Sequence, residues 1–165
     1  MPRTVPSMAS SADVGRAAPG FTLPGTDNTP AGRREYSLDD YRGQVVVLVF
    51  YPGDNTPVCT RQLNAYTDDI ASFRQAGAQV LAISPQSVES HEEFSCKQDG
   101  FGFPLLADTD KEVGAAYGIL GPLGFYRRSV FVVDAGGTIR YAHRAVAGLT
   151  FRSASELVEA VRDAT

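Results

Sequence analysis

Tryptophan is absent from the 165 residues, and cysteine, histidine and methionine occur only twice each. Positive charge is scarce too: 15 Lys and Arg face 19 Asp and Glu, a net charge of −4, and no basic run exceeds the pairs Arg33-Arg34 and Arg127-Arg128. Without a basic footprint, nucleic acid and an anionic membrane surface are excluded as partners. The longest apolar run, Val45 to Tyr51, falls far short of the ~20 residues of a membrane-spanning helix. Residues 1–17 carry Arg3 and Arg16 among Pro, Ser and Ala, without the apolar stretch of about 7–15 residues that marks a secretory signal. They read as a flexible tail before a single domain over residues 18–165, and the expected compartment is a reducing cytoplasm.

His91 and His143 lie far apart, with no cysteine or carboxylate set at metal-ligand spacing. Neither a metal nor a cofactor is expected, and both histidines read as structural or exposed. Gly118 to Gly124 is glycine-rich but lacks Gly-x-Gly spacing and a preceding strand, so it is a flexible loop over or near the site and no dinucleotide fingerprint. No Cys-x-x-Cys occurs, which argues against a thiol–disulfide oxidoreductase. A chain of this length buries roughly 70% of its unfolded surface and needs no covalent staple. Cys59 and Cys96 are therefore free for chemistry.

What is present reads as alternating strands and helices. Phe21 to Pro24 suggests a short strand, and the β-branched, aromatic run Val45–Tyr51, stopped by Pro52-Gly53, a strand covered on both faces. From Val58 to Phe73, Cys59, Leu63, Tyr66, Ile70 and Phe73 fall on one narrow stripe, as on an amphipathic helix that Gly77 ends. Gln79 to Ser84 reads as a second buried strand and Val88 to Asp99 as a helix closed by Gly100. Ser129–Val133 and Thr138–Ala142, separated by Asp134-Ala-Gly-Gly, should pair as an antiparallel hairpin, and a last helix spans Ala154 to Arg162. The pattern predicts an α/β fold, a central mixed sheet with helices on both faces.

The segment Tyr51-Pro-Gly-Asp-Asn-Thr-Pro-Val-Cys-Thr60 joins the first buried strand to the amphipathic helix. Thr56 suits the N-cap and Pro57 the first helical position, where its missing N–H costs nothing. Cys59 then occupies the third helical position, facing free N–H groups and the positive end of the helix dipole. Both favour a nucleophilic thiolate. Pro52 stiffens the strand exit, and Thr56 can set its hydroxyl near the sulfur. Read blandly, Cys59 is a small buried hydrophobe, Thr56 only a cap and Pro52 only a strand stop. Cys96 lies beside the apolar stripe of its helix, a position compatible with exposure.

Pro52-x-x-x-Thr56-x-x-Cys59 resembles the peroxiredoxin active-site motif. The resemblance continues through Ala18-Pro-Gly-Phe21, Ser37 to Gly43, Phe50-Tyr-Pro, Phe103 to Asp108 and Arg128 to Asp134. It looks like the Q, or bacterioferritin-comigratory, subgroup. It implies a thioredoxin-like fold and a monomeric thiol-dependent peroxidase, with Cys59 as the peroxidatic cysteine attacking hydrogen peroxide or an organic hydroperoxide. By the same resemblance Thr56 hydrogen-bonds the peroxide, Pro52 shapes the pocket, and Arg128 is the strand-borne arginine that stabilises thiolate and leaving oxygen. Arg127 reads as surface.

The chain departs from the subgroup at Gly20, where Asp is usual, and at Asn64, five residues after Cys59, where a second cysteine is frequent. Cys96 resembles the variant whose resolving cysteine lies on the next helix. An intramolecular disulfide recycled by thioredoxin is then expected, with local unwinding to bring the sulfurs together. Two alternatives stay open: a one-Cys peroxidase with Cys96 structural, and a redox-sensing or holdase-type interaction protein.

Overall fold

A computed structural model describes residues 12–27, 29, 32–145 and 150–165. Seven strands form one mixed sheet in the order β2-β1-β5-β4-β3-β6-β7. The strands are β1 Thr22–Thr26, β2 Arg34–Ser37, β3 Val45–Phe50, β4 Ala78–Ser84, β5 Leu105–Ala107, β6 Ser129–Val133 and β7 Ile139–Arg144. The helices are α1 Pro57–Asp68, α2 Ile70–Gln75, α3 Val88–Lys97, α4 Glu112–Ala116 and α5 Ala154–Asp163. β3, buried throughout, pairs in parallel with β4 and antiparallel with β6.

The two-residue period of β3 divides the interior into two layers. Val45, Val47, Val49 and the following Tyr51 face Cys59, Leu63 and Tyr66 of α1, Phe73 of α2, and Leu157, Val158 and Val161 of α5. Val46, Leu48 and Phe50 face the opposite layer with Phe131, Tyr117 and Tyr126. A strand clothed on both sides has no polar face to alternate, which is why its sequence is an unbroken apolar run.

The expected hairpin forms, with Ser129 opposite Arg144 and Val132 opposite Tyr141. The helix read as continuous from Val58 to Phe73 is two helices. Asp69 leaves helical geometry at φ −103° and ψ 16°, ending α1 and starting α2 on the same apolar stripe. α3 stops at Lys97, and Asp99 and Gly100 follow with φ of 60° and 86°, the Gly100 N–H returning to the Ser95 carbonyl. Short β5 and α4 carry too little pattern to announce themselves.

Of the expected tail, residues 12–17 are fastened to the hairpin: Ala12 is buried, the Gly15 N–H donates to the Ile139 carbonyl, and the Ile139 N–H to that of Arg16. Residues 1–11 lie outside the described ones. Gly118 to Gly124 ends in a 3-10 turn, Pro122–Gly124, closed by a bridge between Leu120 and Tyr126. Among the described residues no helix is long and apolar enough to cross a membrane.

Leu48 is fully buried between β4 and β6. Leu48→Ala should lower the unfolding free energy by about 2–5 kcal/mol in urea titration, as buried leucine truncations do. A loss below about 1 kcal/mol would contradict burial on both faces of the sheet.

Candidate active site

The register of β3 against β6 builds the site. Val49 stands opposite Val130 and Phe50 opposite Ser129. The next pair beyond the ladder is Tyr51 and Arg128, both on the α1 side of the sheet. The chain leaving β3 turns through Pro52 to Asn55 and enters α1 at Pro57, with Thr56 as N-cap at φ −90° and ψ 149°. Cys59 is therefore the third helical residue, buried with no exposed surface. The first-turn N–H groups have no partner within the helix and point toward the mouth of that turn.

Thr56 occupies the cap position without capping through its side chain. Its hydroxyl donates to the Gly53 carbonyl at 3.0 Å, closing the loop on itself. The Thr56 residue is exposed and Pro52 half-buried. Arg128 is buried at 4% exposure, and its Nη1 donates to Gln62 Oε1 at 2.6 Å, three residues along α1 from Cys59. Gln62 Nε2 in turn donates to the Tyr66 hydroxyl at 3.3 Å, and that hydroxyl donates to the Arg152 carbonyl at 2.6 Å. Burial, opposed by the Gln62 hydrogen bond, holds the Tyr66 phenol at a pKa of about 12. Because Gln62 is neutral, it orients the guanidinium without cancelling its charge. Arg127, by contrast, is half-buried, its Nε donating to the Ala145 carbonyl.

A second network lies behind the loop. The Asp54 carboxylate accepts the Tyr51 hydroxyl at 2.7 Å, the Ser90 hydroxyl at 2.7 Å and His91 Nδ1 at 2.8 Å, while His91 Nε2 faces the Leu106 carbonyl at 2.9 Å. The Asp54 N–H donates to Gln86 Oε1. Both members of the Asp54–His91 pair are buried. Burial raises the Asp54 pKa, but hydrogen bonds and charge from His91, with the Ser90 and Tyr51 hydroxyls, outweigh it and leave the carboxyl below its ordinary value. Tyr51 is pushed well above the ordinary phenol, first by burial and then by Asp54, with Cys59 adding to the rise. Of the two readings the sequence left for His91, structural or exposed, exposure does not hold: the side chain is buried and engaged with the loop before Cys59. His143 sits half-buried on β7, its pKa lowered by burial and by Arg152.

Cys96 is exposed in the last turn of α3. That turn meets the middle of α1: Asn64 Nδ2 donates to Gln98 Oε1 at 3.0 Å. Asn64 is five residues beyond Cys59, about 7.5 Å along the helix. Both thiols are free. Among the described residues, no group of three His, Cys, Asp or Glu side chains could hold a metal ion.

A family profile described as the AhpC/TSA family matches residues 14–142. The chain belongs to that family. Over 141 residues it is 40% identical to peroxiredoxin-2 of Rattus norvegicus, covering 81% of this chain and 70% of that one. Over 131 residues it is 37% identical to the chloroplastic peroxiredoxin Q of Oryza sativa subsp. japonica, covering 78% of this chain and 58% of that one. Mycobacterium tuberculosis AhpC superposes with a TM-score of 0.81 at 24% identity over 90% of each chain. The reduced 2-Cys peroxiredoxin of Plasmodium vivax gives 0.82 at 23% identity, over 90% of this chain and 79% of that one. These likenesses show the thioredoxin-like fold. As a peroxiredoxin, the protein is a thiol-dependent peroxidase, with a peroxide as substrate and a thiol as reductant.

Since the folded-state pKa of Asp54 lies below the unfolded value, its contribution to stability is complete above that value, about 4, and is lost as the pH falls through the folded-state pKa. In urea unfolding, Asp54→Asn should trail the wild type at pH 7, and the gap should close on acidification below about pH 4. A gap that widens on acidification would contradict the ionised carboxylate.

Proposed function

We propose that Cys59 is the peroxidatic cysteine of a two-Cys cycle resolved within the chain by Cys96. The observation that carries the first half is the convergence on α1: Cys59 in its first turn, and a buried guanidinium from Arg128 held against the same helix by Gln62. The thiolate attacks one peroxide oxygen. An S–O bond forms, the O–O bond breaks, and the departing alkoxide or hydroxide leaves as alcohol or water after taking a proton. Negative charge gathers on that oxygen, where Arg128 and the first-turn N–H groups supply fixed positive charge, and the Thr56 hydroxyl oxygen, its hydrogen given to Gly53, accepts from the peroxide. Pro52 keeps the loop short of backbone donors and stiff.

Cys59 is left as a sulfenic acid. The Cys96 thiolate then attacks that sulfur, an S–S bond forms, and the hydroxyl leaves as water. Exposure of Cys96 and the contact between its helix turn and Asn64 favour this reading. Cys59 lies in the first turn of α1, whereas the end of α3 that carries Cys96 meets that helix at Asn64, so the first turn of α1 and the last of α3 unwind to join the sulfurs. Thioredoxin or a similar dithiol protein, acting in the cytoplasm on a monomer of one domain, returns both thiols.

Cys59→Ser should abolish thioredoxin-linked consumption of hydrogen peroxide. Cys96→Ser should make turnover depend on an added small thiol and raise the share of sulfinic acid on Cys59, because the sulfenic acid then persists. Thioredoxin-linked turnover unchanged in Cys96→Ser would remove Cys96 from the cycle and leave a one-Cys enzyme.

A further inference from the structure

The peroxidase chemistry makes no use of a buried ion pair, Asp54 and His91, whose side chains are 1% and 0% exposed. The proton count of this pair is fixed by its partners. The Leu106 carbonyl can only accept, so His91 Nε2 carries a hydrogen. Nδ1 faces a carboxylate, and two bare acceptors 2.8 Å apart would repel, so one proton lies between them. The pair is therefore neutral overall, and the Tyr51 and Ser90 hydroxyls complete the acceptor sites of the carboxylate. An acidic residue thus stands in the loop before Cys59 without presenting net negative charge to the sulfur.

The pair also joins two segments far apart in sequence. Asp54 lies in the loop between β3 and α1, and Ser90 and His91 lie in the first turns of α3, whose N-cap Ser87 accepts from the Ser90 N–H. Asp54 is the loop's anchor by both side chain and backbone, the latter through Gln86. Its neighbour Asn55 holds a left-handed conformation at φ 64°, which asparagine tolerates and which turns the chain from Asp54 toward the cap at Thr56. On the far side, Thr56 closes back onto Gly53. Whatever fixes Asp54 therefore fixes the entry to α1.

We propose that Asp54 and His91 are positioning residues for Cys59: their shared proton clamps the loop to α3 and so holds the first turn of α1 in the geometry that reacts with peroxide. The inference rests on Cys59 being the peroxidatic cysteine. It goes beyond that reading in assigning the loop's geometry to a hydrogen-bonded pair more than to apolar packing.

Two substitutions separate these causes. His91→Asn places an amide nitrogen where Nδ1 stood and can still donate to Asp54, whereas His91→Leu fills the space with no donor. The readouts are the second-order rate of Cys59 oxidation by hydrogen peroxide and the rate of Cys59 alkylation by iodoacetamide, each resolved by peptide mass. The first reaction needs the built pocket, and the second needs only an accessible thiolate. In H91L the peroxide rate should fall about 10- to 100-fold, the scale of a displacement near 1 Å, while alkylation quickens. H91N should retain more of the peroxide rate than H91L. Equal rates in H91L and the wild type, or a peroxide rate in H91L equal to or above that in H91N, would overturn the proposal in favour of packing. Should H91L fail to melt cooperatively, Ser90→Ala removes one donor to Asp54 from a half-buried helix position. It should show the same split on a smaller scale, and wild-type values in both rates would overturn the proposal. Wild-type Cys59 that peroxide does not oxidise would instead refute the peroxidatic assignment itself.

Discussion

The site depends on one constraint, the register of β3 against β6. With Val49 opposite Val130, the strand that leads to Cys59 leaves the sheet beside the residue that enters β6, and that residue is Arg128. Strand parity then decides which of two adjacent arginines faces α1. Arg128 shares a face with Val130 and Val132, under α1, while Arg127 shares parity with Phe131 and Val133 in the opposite layer. A slip of one residue would exchange them and turn every side chain of β6 to the wrong layer. The cost of misplacing Val130 to Val133 thus enforces the polar contact between Arg128 and Gln62.

Helix α1 is fixed by the same burial. Cys59, Leu63 and Tyr66 form its inner stripe, so the packing that holds the helix on the sheet also seats the Cys59 sulfur at its first turn. The same helix presents its first-turn N–H groups beside that sulfur and, one turn on, the Gln62 side chain that receives the buried Arg128 guanidinium. The one carboxylate built into the loop, Asp54, is matched by His91.

The parts legible in the sequence were those governed by local rules. The β3 run, the hairpin around Asp134-Ala-Gly-Gly, the proline at the start of α1 and the apolar stripe from Cys59 to Phe73 all follow from residues within one or two turns of each other. What escaped depends on tertiary pairing. Gln62 reads as an ordinary helix residue until Arg128, 66 positions later, donates to it. His91 looks bland until Asp54, 37 positions earlier, accepts its proton. Thr56 has the right residue type for a cap, yet its hydroxyl prefers the Gly53 carbonyl because the loop folds back there. The break at Asp69 leaves the apolar stripe intact, so periodicity could not show it.

The most direct measurement is the peptide-mapped mass of the reduced protein after one equivalent of hydrogen peroxide. The account predicts a Cys59–Cys96 disulfide formed within the chain, 2 Da lighter than the reduced protein by the loss of two hydrogens. Sulfenic or sulfinic acid on Cys59 beside a reduced Cys96 would contradict the resolving role, and two untouched thiols would contradict the peroxidatic assignment of Cys59.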